Sequence, residues 1–119
     1  MRKRYTIPIA AALALLAQQG IAAAQPRQDT GSANHIMPGC RDAISNNLRE
    51  PYLNGLCVGI VRAMFHLDAS LGFCVPDRST VGQAVRVVVA YIDQRPERMH
   101  EYFEVLALEA LRRAWPCRR

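Results

Sequence analysis

Apolar side chains recur at helical spacing in four stretches of the chain. The clearest runs from Thr80 to Gln94. Val81, Ala84, Val85, Val88 and Ile92 fall on one face of a 3.6-residue period, with Arg86 and Asp93 off it. Thr80 and Gln83 stand three apart just before the run. In such a capping box the hydroxyl accepts from the backbone N–H three residues on, and the amide side chain reaches back. The segment Arg86–Ile92 is also rich in β-branched residues and would suit a buried strand. The capped period is longer than a typical strand, which favours the helix.

The next stretch follows Pro96, a residue tolerated in a first helical turn. Its helix begins there or after a short break near His100. Phe103, Leu106, Ala107, Ala110, Leu111 and Ala114 form its apolar stripe. Glu101 and Glu104 near the start, and Arg112 and Arg113 near the end, complement the helix dipole. Glu109 stands one turn before Arg113 and can pair with it. Pro116 stops the run.

Upstream, Tyr52 to about Ala69 is the most apolar stretch, with Leu53, Leu56, Cys57, Ile60, Val61, Met64 and Leu67 forming a broad stripe. Gly55 and Gly59 lie on one of its faces, each costing about 1 kcal/mol against alanine. That repeated cost predicts a second backbone passing close by. Gly72 is placed to end the helix in the left-handed region. Cys40–Asn47 is a shorter helix candidate, and Asn46-Asn47 with Glu50-Pro51 mark a turn after it. The pattern predicts an all-α, four-helix domain with helices at about 40–47, 52–69, 80–94 and 97–115, stapled by two disulfides.

The first 24 residues read differently. Arg2, Lys3 and Arg4 precede a short apolar run, Ile7–Ala17, and Ala22-Ala23-Ala24 supplies a small-residue cleavage pattern. This predicts a signal peptide over 1–24, cut after Ala24, and an exported protein. The run is short for a membrane span of about 20 residues, so no membrane attachment is expected once it is removed. Gln25 to Met37 reads as a flexible lead with little apolar content, and the helical domain as 38–117.

The signal also changes the charge. It holds three of the fifteen basic residues, so the formal net charge drops from +5 to +2 without it. A basic footprint for nucleic acid is therefore not expected.

All four cysteines, Cys40, Cys57, Cys74 and Cys117, lie after the signal. An even number in a small exported domain reads as a disulfide framework. No two have the close spacing of a zinc site, so no metal is expected. Spacing alone leaves three connectivities open. Two matched helices of about 21 Å, folded antiparallel, return Cys117 to Cys74. Cys40 and Cys57 lie at similar distances from the Asn47–Pro51 turn, so the preferred pairs are Cys40–Cys57 and Cys74–Cys117. A Cys57–Cys74 bridge fits only if the helix after Pro51 ends early.

Little else carries chemistry. His35, His66 and His100 are scattered, and there is no glycine-rich phosphate loop or serine elbow. A cysteine nucleophile beside His66 or His100 competes with a bridge role for the same sulfur. No cofactor is expected, and the chain reads as a binder rather than an enzyme.

Six ordered segments support a resemblance: Cys57-Val58-Gly59-Ile60, Phe73-Cys74-Val75-Pro76, Val81-Gly82-Gln83-Ala84-Val85, Val88-Val89-Ala90-Tyr91, Arg95-Pro96-Glu97 and Ala110–Cys117. Together they resemble the Rap/Tai family of immunity proteins associated with bacterial type VI secretion, over about residues 38–117. The resemblance implies a periplasmic, all-helical, often dimeric inhibitor. Its partner would be a peptidoglycan amidase effector with a cysteine–histidine pair, and it would act by covering that cleft. A homodimer is thus a second expected partner. Toxin-contacting surfaces differ within the family, so none carries over. Exposed loop and outer-face residues are the candidates: Asp68, Asp77, Arg78, Arg86, Tyr91 and Asp93. Tyr and Arg lead because both are enriched at binding hot spots. The alternative is a small helical periplasmic stress chaperone or binding protein without a paired toxin.

Overall fold

A computed structural model describes residues 29–119. The signal expected at 1–24 lies outside the described residues. Four α-helices follow in order: α1 (Ala33–Ser45), α2 (Pro51–His66), α3 (Val81–Asp93) and α4 (Phe103–Ala114). Short 3-10 turns occupy Ala69–Leu71 and Pro96–Arg98. Among the described residues there is no strand, only one isolated antiparallel bridge between Ser32 and Tyr102. The β-branched run is helical, because Val85, Val88, Val89 and Ile92 face the core, where burial outweighs weak propensity.

α1 lies along α2 and α3 along α4, and both α1 and α2 also cross α3. Ile36, Met37, Val61, Phe73, Val85, Val88, Ile92, Phe103, Leu106 and Leu111 are fully buried where they meet. Each such side chain contributes about 1.5–3 kcal/mol on burial. Both preferred disulfides are present, with Cα atoms 5.4 Å apart at Cys40–Cys57 and 4.8 Å at Cys74–Cys117. The capping box also forms: Thr80 Oγ1 accepts from Gln83 N–H, and Gln83 Oε1 accepts from Thr80 N–H.

Three sequence expectations need correction. The first helix starts at Ala33, not Cys40, so the ordered domain takes in part of the expected lead. Ser32 caps it, and the Ala33 and Asn34 N–H groups donate to the Glu101 and Met99 carbonyls. Ala33, Ile36, Met37 and Cys40 are its buried stripe. Pro38-Gly39 hid this helix by looking like a break. Pro38 sits on the exposed side, and Gly39 is buried where a Cβ would collide with the Leu53 carbonyl and the Asn54 nitrogen.

The close backbone approach is therefore at Gly39, and not at Gly55 or Gly59. A Cβ at either of those meets nothing within 4 Å. The third correction concerns the last helix. Its expected start at 97 divides into the Pro96–Arg98 turn and α4 from Phe103. Arg98 fills the break by gripping Glu101 and Glu109, at 2.7 Å each. Glu109 thus pairs with Arg98 rather than Arg113.

Asp42 closes the α1–α2 turn. It is nearly buried, and its Oδ2 accepts from the Arg49 and Glu50 N–H groups at 2.8 and 2.7 Å. Gly72 takes the expected left-handed conformation at φ 81° after the Ala69–Leu71 turn.

Candidate functional site

Loop 73–80 enters at a fixed point and leaves at another. Phe73 is fully buried, Cys74 is bonded to Cys117, and the Cys74 N–H donates to the Trp115 carbonyl at 2.8 Å. Asp68 holds the loop from behind: its carboxylate accepts from the Ala69 and Val75 N–H groups. Those backbone donors favour the ionised form and hold the Asp68 carboxyl below its ordinary range. Thr80 then starts α3.

Between these anchors the chain turns outward through Pro76, Asp77 and Arg78, and Ser79 N–H donates to the Pro76 carbonyl. Arg78 sits at φ 67°. A long β-carbon side chain in the left-handed region is uncommon and carries strain of order 1 kcal/mol. The loop and the chain after α4 enclose an open cleft of about 640 Å³. Val75, Pro76, Trp115 and Pro116 make its apolar walls, with Asp77 and Arg118 at the rim. The Trp115 ring meets Phe65 edge-on at 6.5 Å, which fixes the inner wall.

The six candidate residues separate into two groups. Asp68 is used in the loop's own hydrogen bonds. Tyr91 is half-buried, donates its hydroxyl to Glu109 at 3.0 Å and lies under the Arg95 guanidinium at 3.7 Å. Asp93 pairs with Arg41 at 2.6 Å. These three have structural occupations. Asp77, Arg78 and Arg86 are exposed, and none takes part in the ion pairs among the described residues. Asp77 and Arg78 share the loop tip, and Arg86 lies on the exposed side of α3 beyond its cap.

Sequence reasoning did not pick out Trp115 or Arg118 as site residues. The signal available was their adjacency to Cys117, since whatever flanks a clasp cysteine is brought to the loop that the clasp holds.

The Arg98 cluster lies toward the α3–α4 connection. Its two partner carboxylates raise the Arg98 pKa, and Arg98 in turn lowers those of Glu101 and Glu109. Among the described residues no group of three His, Cys, Asp or Glu side chains could hold a metal ion. All four cysteines are in bridges, which leaves no free thiol for a nucleophile. No helix among the described residues is long and apolar enough to cross a membrane.

A search of curated proteins and a search of solved structures each returned no match. A family model described as Rap1a immunity proteins matches residues 32–117, from the Ser32 cap to the last clasp cysteine. An immunity protein works by binding a toxin, and a domain with a braced, outward-turned loop fits that work. The chain belongs to the Rap1a family of immunity proteins.

Proposed function

We propose that this protein is exported to the periplasm and there binds and blocks a peptidoglycan amidase toxin of type VI secretion. The observation that carries the reading is the braced loop 73–80. It presents the unpaired Asp77 and the left-handed Arg78 on a base tied by Cys74–Cys117. A loop ordered before contact loses little conformational freedom on docking, so more of the contact energy appears as affinity. The amidase class rests on the resemblance of segments 57–60, 73–76 and 110–117 to the type VI immunity group.

The role is obstruction, with Asp77 and Arg78 entering or covering the toxin's cleft and Arg86 supporting from α3. The test is co-expression, in the periplasm, with the amidase encoded by a neighbouring reading frame. Wild-type protein should prevent lysis and co-purify with the enzyme, and Asp77→Arg with Arg78→Glu should do neither. Lysis that proceeds unchanged in the presence of the wild type would refute the reading.

A second copy of the chain has its own place on this reading. α2 is the most apolar helix, yet only Cys57 and Val61 on it are fully buried. Its outer face carries Tyr52 at 75 % exposure and Leu67 at 55 %, with Gly55, Gly59 and Ala63 between them. Open glycines at these positions let a partner helix approach closely, and a two-fold pairing of the face on itself would bury Tyr52 and Leu67 together. Light scattering after size exclusion should give a dimer for the wild type and a monomer for Gly59→Arg. A monomeric wild type at all concentrations removes the dimer.

A further inference from the structure

The modest net charge of the domain conceals a division between its two ends. Arg78, Arg112, Arg113, Arg118 and Arg119 gather around the Cys74–Cys117 clasp, all exposed. The arrangement follows from three tethers. Arg112 Nε donates to the Leu71 carbonyl at 2.7 Å, Arg118 follows Cys117, and Arg78 lies four residues beyond Cys74. The carboxylates nearby are Asp68, already engaged by two backbone N–H groups, and Asp77. At the opposite end, around the α3–α4 connection, Asp93, Glu97, Glu101, Glu104 and Glu109 stand against Arg41, Arg95 and Arg98. Five positive charges against two at one end, and five negative against three at the other, make the molecule electrically polar.

From this we infer that the clasped end docks onto a carboxylate-rich surface of the partner protein, with an acidic segment of that partner seated in the cleft between loop 73–80 and the Trp115–Arg118 tail. The inference rests on the immunity reading and adds the chemistry of the partner's face. Arginine rather than lysine supplies every positive charge here, and its planar fork matches a carboxylate with two parallel hydrogen bonds. The cleft adds shape: Val75, Pro76, Trp115 and Pro116 offer apolar walls to the stem of a Glu or Asp side chain, and Arg118 stands at the rim to meet its charge. Asp77 on the same rim repels a misplaced carboxylate and so fixes register. A flat anionic lipid surface would use the positive charge but leave the walled cleft unfilled, which favours a protein partner.

The experiment measures association of the full mature domain with the purified neighbouring amidase at about 50 and 500 mM salt. It compares the wild type, Arg113→Glu/Arg118→Glu, and the control Arg49→Glu, an exposed arginine in the α1–α2 turn. Sedimentation with phosphatidylglycerol vesicles runs in parallel, and melting curves confirm that each variant is folded. The expected result is an association rate at least tenfold slower for the first variant, a similar loss for the wild type at high salt, and little change for the control.

Wild-type binding that ignores both salt and the double reversal overturns the acidic-partner inference and leaves the immunity reading intact. Failure of the wild type to bind the amidase overturns both. Co-sedimentation with vesicles in that case reassigns the arginines to lipid headgroups.

Discussion

Three glycines of the first two helices illustrate how much one Cβ decides. At Gly39 an added methyl would enter the Leu53 carbonyl, so Gly39→Ala should cost upwards of about 3 kcal/mol as α1 and α2 are forced apart. Gly55 and Gly59 face open space, and alanine there should add about 0.5–1 kcal/mol each through helix propensity. Urea unfolding at concentrations low enough for a monomer checks both signs, and equal effects at the three sites would refute the close approach. Arg78 is a different case. Arg78→Gly should raise stability by about 1 kcal/mol by removing a left-handed side chain, while weakening toxin binding. A variant that neither melts higher nor binds less would make Arg78 an ordinary turn residue. Charge gives a third test. Asp68, Glu101 and Glu109 all have carboxyls held below their ordinary range, by the Val75 N–H for Asp68 and by Arg98 for the two glutamates. A depressed native pKa adds stability above the ordinary values, 4.5 for Glu and 3.8 for Asp, that is lost as pH falls through the lower native values. The melting temperature should therefore drop with acidification below about pH 4.5, and less steeply in Arg98→Met, which starts from a lower value. Parallel profiles for the two proteins would remove Arg98 from the acid response.

At the scale of elements, the two disulfides do unequal work. In the loop-entropy model Cys40–Cys57, 17 residues apart, contributes about 3 kcal/mol and Cys74–Cys117, 43 apart, about 4. Cys74→Ser with Cys117→Ser should therefore lower the melting temperature by more than 10 °C, at roughly 4–8 °C per kcal/mol for a domain of this size. Thr80→Ala, which removes the capping hydroxyl, should cost about 1 kcal/mol. A clasp-free domain that melts with the wild type would show that packing alone sets the helix hairpin. These elements were legible before the structure because their signals are local. Thr80 and Gln83 are three residues apart, Gly72 ends its own turn, and two helices of similar length must bring their ends together. The start of α1 was not legible. Its first two N–H groups are completed by the Glu101 and Met99 carbonyls, far along the chain, while Pro38-Gly39 gives a local signal of the opposite sense. The same distinction holds at the site. Asp77 and Arg78 are visible as loop residues. That Tyr91 belongs to Glu109, and Asp93 to Arg41, depends on helix packing that no spacing rule reaches.

At the scale of the molecule, rigidity and polarity belong together. A bundle clasped at one end, with its positive charge gathered there and its negative charge at the other, is built to present one end to a partner. The chain's family gives that partner its general nature, a toxin, and the proposed mode is obstruction by the loop. The measurement that tests this most directly is titration of the neighbouring amidase with purified protein, following peptidoglycan cleavage. The account predicts that activity falls linearly to zero at a fixed stoichiometric ratio, and that Asp77→Arg with Arg78→Glu abolishes the effect while the variant remains folded. Full amidase activity in an excess of the wild-type protein, or undiminished inhibition by the loop variant, would contradict it.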